Sequence, residues 1–109
     1  MQQISIEYTL TVKTCIDHIA VFLRNAGVEP RGVIASILDE FEGKVSAFPL
    51  GCQVCPELVN LGVSKYRECN TSDGYRVLYS TDGSAVTAHA VLSHRQDVKQ
   101  LLFKRLIQA

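Results

Sequence analysis

The sequence lacks the signals that mark membrane-spanning and exported proteins. None of its apolar runs approaches the roughly 18 residues that a span needs. Its start, Met1-Gln2-Gln3-Ile4, has no basic cluster leading into an apolar core, so no signal peptide is expected. With 47% hydrophobic and 20% charged residues, the chain is predicted to fold as one domain over residues 1–109 in the cytoplasm.

Net charge is also absent, because 11 Lys and Arg balance 11 Asp and Glu. The charges are nevertheless unevenly distributed. Residues 1–64 contain four basic and seven acidic side chains, whereas residues 65–109 contain seven basic and four acidic ones. The second segment therefore has an excess of three positive charges, and a face of that sign could meet phosphate or an acidic partner.

The sequence has one CxxC motif, Cys52-Gln53-Val54-Cys55, but lacks a second one and any HxxxH. A zinc site needs about four ligands, so this motif alone is weak evidence for a metal. Gly51 and Pro56 border it and predict a loop. We therefore expect reduced thiols, no metal and no cofactor. Cys15 and Cys69 fall in periodic segments and are predicted to be small core residues.

Hydrophobic periodicity in the first half predicts a strand followed by two helices. Apolar and polar residues alternate over Ile4–Val12, which is typical of a half-buried strand. Thr14 is predicted to cap a helix that stops at Asn25-Ala26-Gly27. Pro30 suits the first turn of a second helix, whose apolar stripe extends to Phe48.

The second half is predicted to form three strands and a closing helix after an irregular segment at residues 48–63. The strands cover Tyr66–Cys69, Tyr75–Ser80 and Ala85–Leu92, with polar, glycine-containing turns between them. The last helix begins at Gln96-Asp97. This order predicts an α+β fold with a helical hairpin on one face of a three-stranded antiparallel meander and the other face open for function or a partner.

Charged side chains recur along this predicted sheet. Arg67 and Glu68 lie on its first strand, Arg76 lies on the second, and His94 and Arg95 follow the third. Neighbouring strands could bring them together. Arginines stabilise a pentacovalent phosphate, and a carboxylate or imidazole could move protons during attack by an RNA 2′-hydroxyl. The alternative is a set of surface ion pairs worth under about 1 kcal/mol each.

Three runs resemble the RelE/ParE toxin superfamily: Tyr66-Arg67-Glu68, Gly74-Tyr75-Arg76-Val77-Leu78-Tyr79 and His94-Arg95-Gln96-Asp97. The resemblance extends to the order of strand, helical hairpin, proline-bearing loop, meander and closing helix. It implies a bacterial growth-inhibiting toxin of a type II toxin–antitoxin, or plasmid-stabilisation, system that a cognate antitoxin holds inactive. RelE-like members cut messenger RNA on the ribosome without a metal, whereas ParE-like members poison DNA gyrase.

The resemblance also implies site residues. In a ribonuclease, Arg67, Arg76 and Arg95 would hold the phosphate, and Glu68 and His94 would be further catalytic candidates. The candidate residues for binding a partner are Arg67, Arg76, Arg95, Lys104 and Arg105.

Two departures from the RelE pattern favour the ParE-like branch. Cys69 stands where RelE-like strands have a second lysine, and the run Leu101-Leu102-Phe103 occupies the region of a late catalytic tyrosine. Net neutrality also differs from the basic character of ribosome-binding toxins. We therefore predict a gyrase-directed toxin that is not an enzyme. The alternatives are a ribosome-dependent mRNA endoribonuclease and a harmless member that only binds an antitoxin. The open sheet face could also form a homodimer.

Overall fold

A single mixed sheet organises the fold. The structure is a computed structural model, which describes residues 4–82 and 84–93. The strands are β1 (Ser5–Tyr8), β2 (Arg67–Asn70), β3 (Tyr75–Thr81) and β4 (Ala85–Ser93), in the spatial order β1-β4-β3-β2. The strands β2, β3 and β4 form the predicted antiparallel meander, and β1 joins its edge parallel to β4. The predicted α+β class is confirmed.

Two long helices connect β1 to the meander, as predicted. They are α1 (Leu10–Asn25) and α2 (Pro30–Ala47). Helix α1 packs against β4 and α2, and α2 approaches β2, so the hairpin covers one face of the sheet. No helix among the described residues is long and apolar enough to cross a membrane. The predicted closing helix at Gln96-Asp97 lies outside the described residues.

The boundary between β1 and α1 differs from the prediction. The strand ends at Tyr8, and Thr9 rather than Thr14 caps the helix. The Thr9 hydroxyl accepts a hydrogen bond from the backbone N–H of Val12, which supplies a partner for one of the free donors in the first helical turn. Val12 is buried and Leu10 is exposed. Because Leu10 and Val12 are both apolar, they continue the alternating pattern of a strand. The cap at Thr9 nevertheless favours the helix.

The segment predicted to be irregular contains a short helix, α3 (Pro56–Val59). Proline occupies its first position, where the missing N–H costs no hydrogen bond. Phe48, which was predicted to extend the stripe of α2, lies just beyond that helix and is 72% exposed. This helix lies against the sheet, because Leu58 is fully buried and Glu57 pairs with Arg76 of β3.

The sheet face away from the helical hairpin is less open than predicted. Tyr79 faces α2, because its ring packs against Phe41. Leu78 points the other way, as does Ala90, its partner on β4. Both are fully buried. The described part of this face therefore contributes to the core instead of forming one exposed surface.

Aromatic contacts join β1, α2 and β3 in the core. The Phe41 ring centroid lies 6.3 Å from that of Tyr8 and 5.7 Å from that of Tyr79, both in edge-on arrangements. The Tyr8 hydroxyl donates a hydrogen bond to Glu42, which follows Phe41 on α2. Phe41 is fully buried, so one side chain holds the helix against two strands.

We expect Phe41→Ala to lower the free energy of unfolding by about 3–5 kcal/mol, because it leaves a cavity between α2 and the sheet. Urea unfolding followed by circular dichroism measures the loss. Phe22→Ala is the matched control. Phe22 is 65% exposed on α1, so its truncation should change stability by only about 0.5 kcal/mol. Equal losses in the two variants would contradict the assigned core.

Candidate functional site

Arg76 lies at the centre of a buried ion-pair network on the face of the sheet away from the hairpin. Its side chain is 13% exposed. The guanidinium lies 3.0 Å from Glu57 of α3 and 3.1 Å from Glu68 of β2. The sequence pattern predicted that Arg76 and Glu68 could meet, and this contact is confirmed. It did not identify Glu57, although Pro56 and Glu57 together fit the start of a helix.

Glu68 is 5% exposed, so its carboxylate needs several hydrogen-bond donors to offset the loss of water. Arg76 supplies one donor to Oε1. The amides of Asn70 and Gln53 donate to Oε2 at 2.9 and 3.2 Å. The network thus links β2, β3, α3 and the loop before α3. Sequence periodicity could not identify Gln53, because it lies in an irregular segment.

The electrostatics of this cluster keep its charges in place. Burial by itself lowers the pKa of Arg76, but the hydrogen bonds that its guanidinium donates to Glu57 and Glu68 outweigh this effect and leave that pKa raised. Burial likewise raises the pKa of Glu57, but the Arg76 hydrogen bond and charge leave it below its ordinary value. Two carboxylates against one guanidinium give the cluster a formal charge of −1. The cluster therefore does not attract an additional anion.

Arg67 does not join this cluster, contrary to the expected convergence. It pairs with Tyr79 on β3, whereas Arg76 pairs with Asn70, so the two arginines face opposite sides of the sheet. Its guanidinium donates to the backbone carbonyl of Cys52 at 2.6 Å. The remaining candidates lie outside the described residues: His94, Arg95, Lys104 and Arg105.

Among the described residues, one group of side chains has donor atoms close enough for a metal ion. The donor atoms of Cys55, Glu57 and Glu68 lie within 4.8 Å of one another. Both carboxylates already pair with the guanidinium of Arg76. Burial also raises the pKa of Cys55, and a thiol must lose its proton to bind a metal. The two carboxylates therefore already have a cation as their partner, and we assign these side chains to the ion-pair network.

A second polar group on the sheet was missed by the sequence analysis. Ser80 Oγ lies 2.7 Å from Nε2 of His89, which is the unpaired residue where the register between β3 and β4 shifts. The Tyr66 ring packs edge-on against the imidazole, with centroids 5.0 Å apart. Burial lowers the pKa of His89, and the charge of Lys65 adds to this effect. A histidine among alanines and valines in a predicted strand was the available signal.

The two cysteines of the CxxC motif point in different directions. Val54 forms an antiparallel bridge with Arg67, so this stretch is extended and Cys52 and Cys55 lie on opposite sides of it. No cysteine among the described residues forms a disulfide. Cys69, predicted to be a small core residue, is fully buried.

Comparisons with known proteins support the fold. No family model matches the chain, and no curated protein matches it at a significant level. Among solved structures, it is similar to a chain of the "Chromosomal ParDE TA system from P. aeruginosa", with a TM-score of 0.62 and 11% sequence identity. The match covers 84% of this chain and 96% of that chain. The chain therefore has the fold of a ParE/RelE-type toxin, as its sequence predicted.

We expect Arg76→Met to lower the free energy of unfolding by about 3–5 kcal/mol, because two carboxylates would lose their buried cation. Urea unfolding measures this loss. Arg67→Met, which removes a hydrogen bond to backbone at the sheet edge, should cost only about 1 kcal/mol. The triple variant Glu57→Gln, Glu68→Gln, Arg76→Met should recover much of the stability. No recovery would show that the ion pairs do not cause the loss.

A second prediction concerns His89. Its folded-state pKa lies below the ordinary value of 6.5, so the unfolded chain binds the proton more readily. The free energy of unfolding should therefore fall as the pH drops from 7 through 6.5 and through the lowered folded-state value. His89→Asn should flatten thermal stability against pH in this range. His18→Gln, on an exposed position of α1, is the control. An unchanged slope in His89→Asn would contradict the assignment.

Proposed function

We propose that this protein is a ParE-like toxin of a type II toxin–antitoxin system, which acts on DNA gyrase in the bacterial cytoplasm and is neutralised by a cognate antitoxin. The similarity of nearly the whole domain to a chain of the ParDE system carries this proposal. The sequence runs that resemble the RelE/ParE superfamily support it independently of the chain's shape.

The arrangement of arginines supports a toxin that is not a ribonuclease. RNA cleavage through 2′-hydroxyl attack develops negative charge on phosphate, which needs uncompensated cations nearby. Arg76 is instead neutralised by Glu57 and Glu68. Arg67 faces the other side of the sheet and donates to backbone carbonyls. Among the described residues, Arg67 and Arg76 thus do not converge with uncompensated charges on one site. We therefore assign Arg76 a structural role in this proposal.

Exposed apolar side chains support neutralisation by a protein partner. An antitoxin that binds through a helix and an extended segment would bury apolar side chains that are exposed in the toxin alone. The large hydrophobic residues exposed among those described are Tyr8, Leu10, Val21, Phe22, Val28, Phe48, Leu50, Val59 and Leu61.

Pulse labelling after induction of this chain alone in a bacterium tests the target. We expect thymidine incorporation to fall before methionine incorporation, because gyrase inhibition stops replication first. The purified protein should also inhibit supercoiling by gyrase. An earlier fall in methionine incorporation, with cleaved messenger RNA, would favour the ribonuclease alternative. Unchanged incorporation of both would indicate a member that only binds an antitoxin.

A variant separates structural from catalytic use of Arg76. The triple variant Glu57→Gln, Glu68→Gln, Arg76→Met keeps the shapes of the two acidic side chains and removes all three charges. If it folds, as circular dichroism would show, it should still inhibit growth at an equal level of expression. Loss of inhibition by a folded triple variant would contradict the structural role and support RNA chemistry at Arg76.

A further inference from the structure

Cys52 and Cys69 face each other across two antiparallel segments. The bridge between Val54 and Arg67 sets the register of the loop before α3 against β2, and two backbone hydrogen bonds of 2.9 Å flank it. Two residues further along each segment, Cys52 falls opposite Cys69. The flanking bonds make the bridge a non-hydrogen-bonded pair, and Cys52 and Cys69 occupy the next position of that kind, where opposing side chains approach most closely.

The side chains of this pair are close enough to interact. Burial raises the pKa of Cys69, and the neighbouring Cys52 raises it further. The hydroxyl of Tyr79 donates to the carbonyl of Pro49 at 2.8 Å. Burial raises the pKa of Tyr79, and Cys52 is a further cause. The carbonyl of Cys52 accepts from Arg67. The bridge and these bonds hold the loop in the register that sets Cys52 opposite Cys69.

The two cysteines differ in their access to solvent, which suggests different chemical roles. Cys52 is half-buried, whereas Cys69 is fully buried. A small oxidant therefore reaches Cys52 first. The charge of Lys44 interacts with both cysteines. Burial raises the pKa of Cys69 to about 12, with Cys52 as a further cause, so Cys69 remains a protonated neighbour until Cys52 reacts.

We propose that Cys52 and Cys69 are an oxidation site at which a hydroperoxide produces an intramolecular disulfide. The Cys52 thiolate attacks one peroxide oxygen, the O–O bond breaks, and the alcohol or water leaves with a proton. Cys52 is then a sulfenic acid. The Cys69 sulfur attacks the Cys52 sulfur, the S–O bond breaks, and the Cys69 proton leaves with hydroxide as water. Two thiols are oxidised by two electrons, and one peroxide is reduced.

The disulfide would close a covalent loop around residues 53–68. This loop contains α3 and therefore Glu57, one of the two carboxylates that pair with Arg76. Cross-linking restricts the unfolded chain more than the folded one, so oxidation should raise the thermal unfolding midpoint. The site does not depend on the proposed toxin function.

The test treats the purified full chain with a small excess of hydrogen peroxide under native conditions, then blocks free thiols with N-ethylmaleimide. Of the four cysteines, two should remain free. Trypsin places Cys52 and Cys55 in the peptide 45–65 and Cys69 in the peptide 68–76. The two peptides should be joined before reduction and separate after it.

Single variants identify the bond. Cys15→Ser and Cys55→Ser are matched controls and should still form the cross-link, whereas Cys52→Ser should abolish it without disturbing a fully buried position. Cys69→Ala should also abolish it and leave Cys52 open to oxidation beyond the sulfenic acid. Four free thiols after treatment of the folded wild-type chain would overturn the proposal. A bond between Cys52 and Cys55, or loss of the cross-link in Cys55→Ser, would also overturn it.

Discussion

The ion pairs of the Arg76 guanidinium with Glu57 and Glu68 are the interaction on which this side of the molecule depends. A charge that is 13% exposed is costly unless it is paired, and here both partners come from different elements. Glu68 must in turn be satisfied by Gln53 and Asn70. The short α3 has only four residues, so it cannot hold itself on the sheet by its own helical hydrogen bonds. The ion pair of Glu57 and the burial of Leu58 together hold it on the sheet.

The same cluster governs the interpretation of function. An arginine on a strand of the sheet could bind phosphate if its charge were free. Its pairing with two carboxylates reverses the sign of the local charge. A fold shared with toxins therefore does not establish catalysis, because chemistry depends on the partners of each side chain. This is the physical basis for preferring a protein-binding toxin to a ribonuclease.

Much of the fold could be predicted from local patterns. Alternating residues indicated the strands of the meander, and the spacing of Ile37, Phe41 and Val45 indicated the buried face of α2. Errors arose where two periodicities agreed for a few residues. The apolar residues Leu10 and Val12 are compatible with a helix as well as with a strand. The hydrogen bond that the Thr9 hydroxyl accepts favours the helix. Side-chain capping is a short-range effect that apolar patterns do not encode.

By itself, the sequence determined the class of fold, the order of the strands and the two long helices, and the possibility that Arg76 meets Glu68, because these follow from periodicity and from pairing of adjacent strands. Tertiary structure alone decided which charges meet from distant segments. It placed Glu57 on Arg76, turned Arg67 to the opposite face and set Cys52 against Cys69. The reason is register: a shift of one residue reverses every side chain on a strand, and only the folded sheet fixes it.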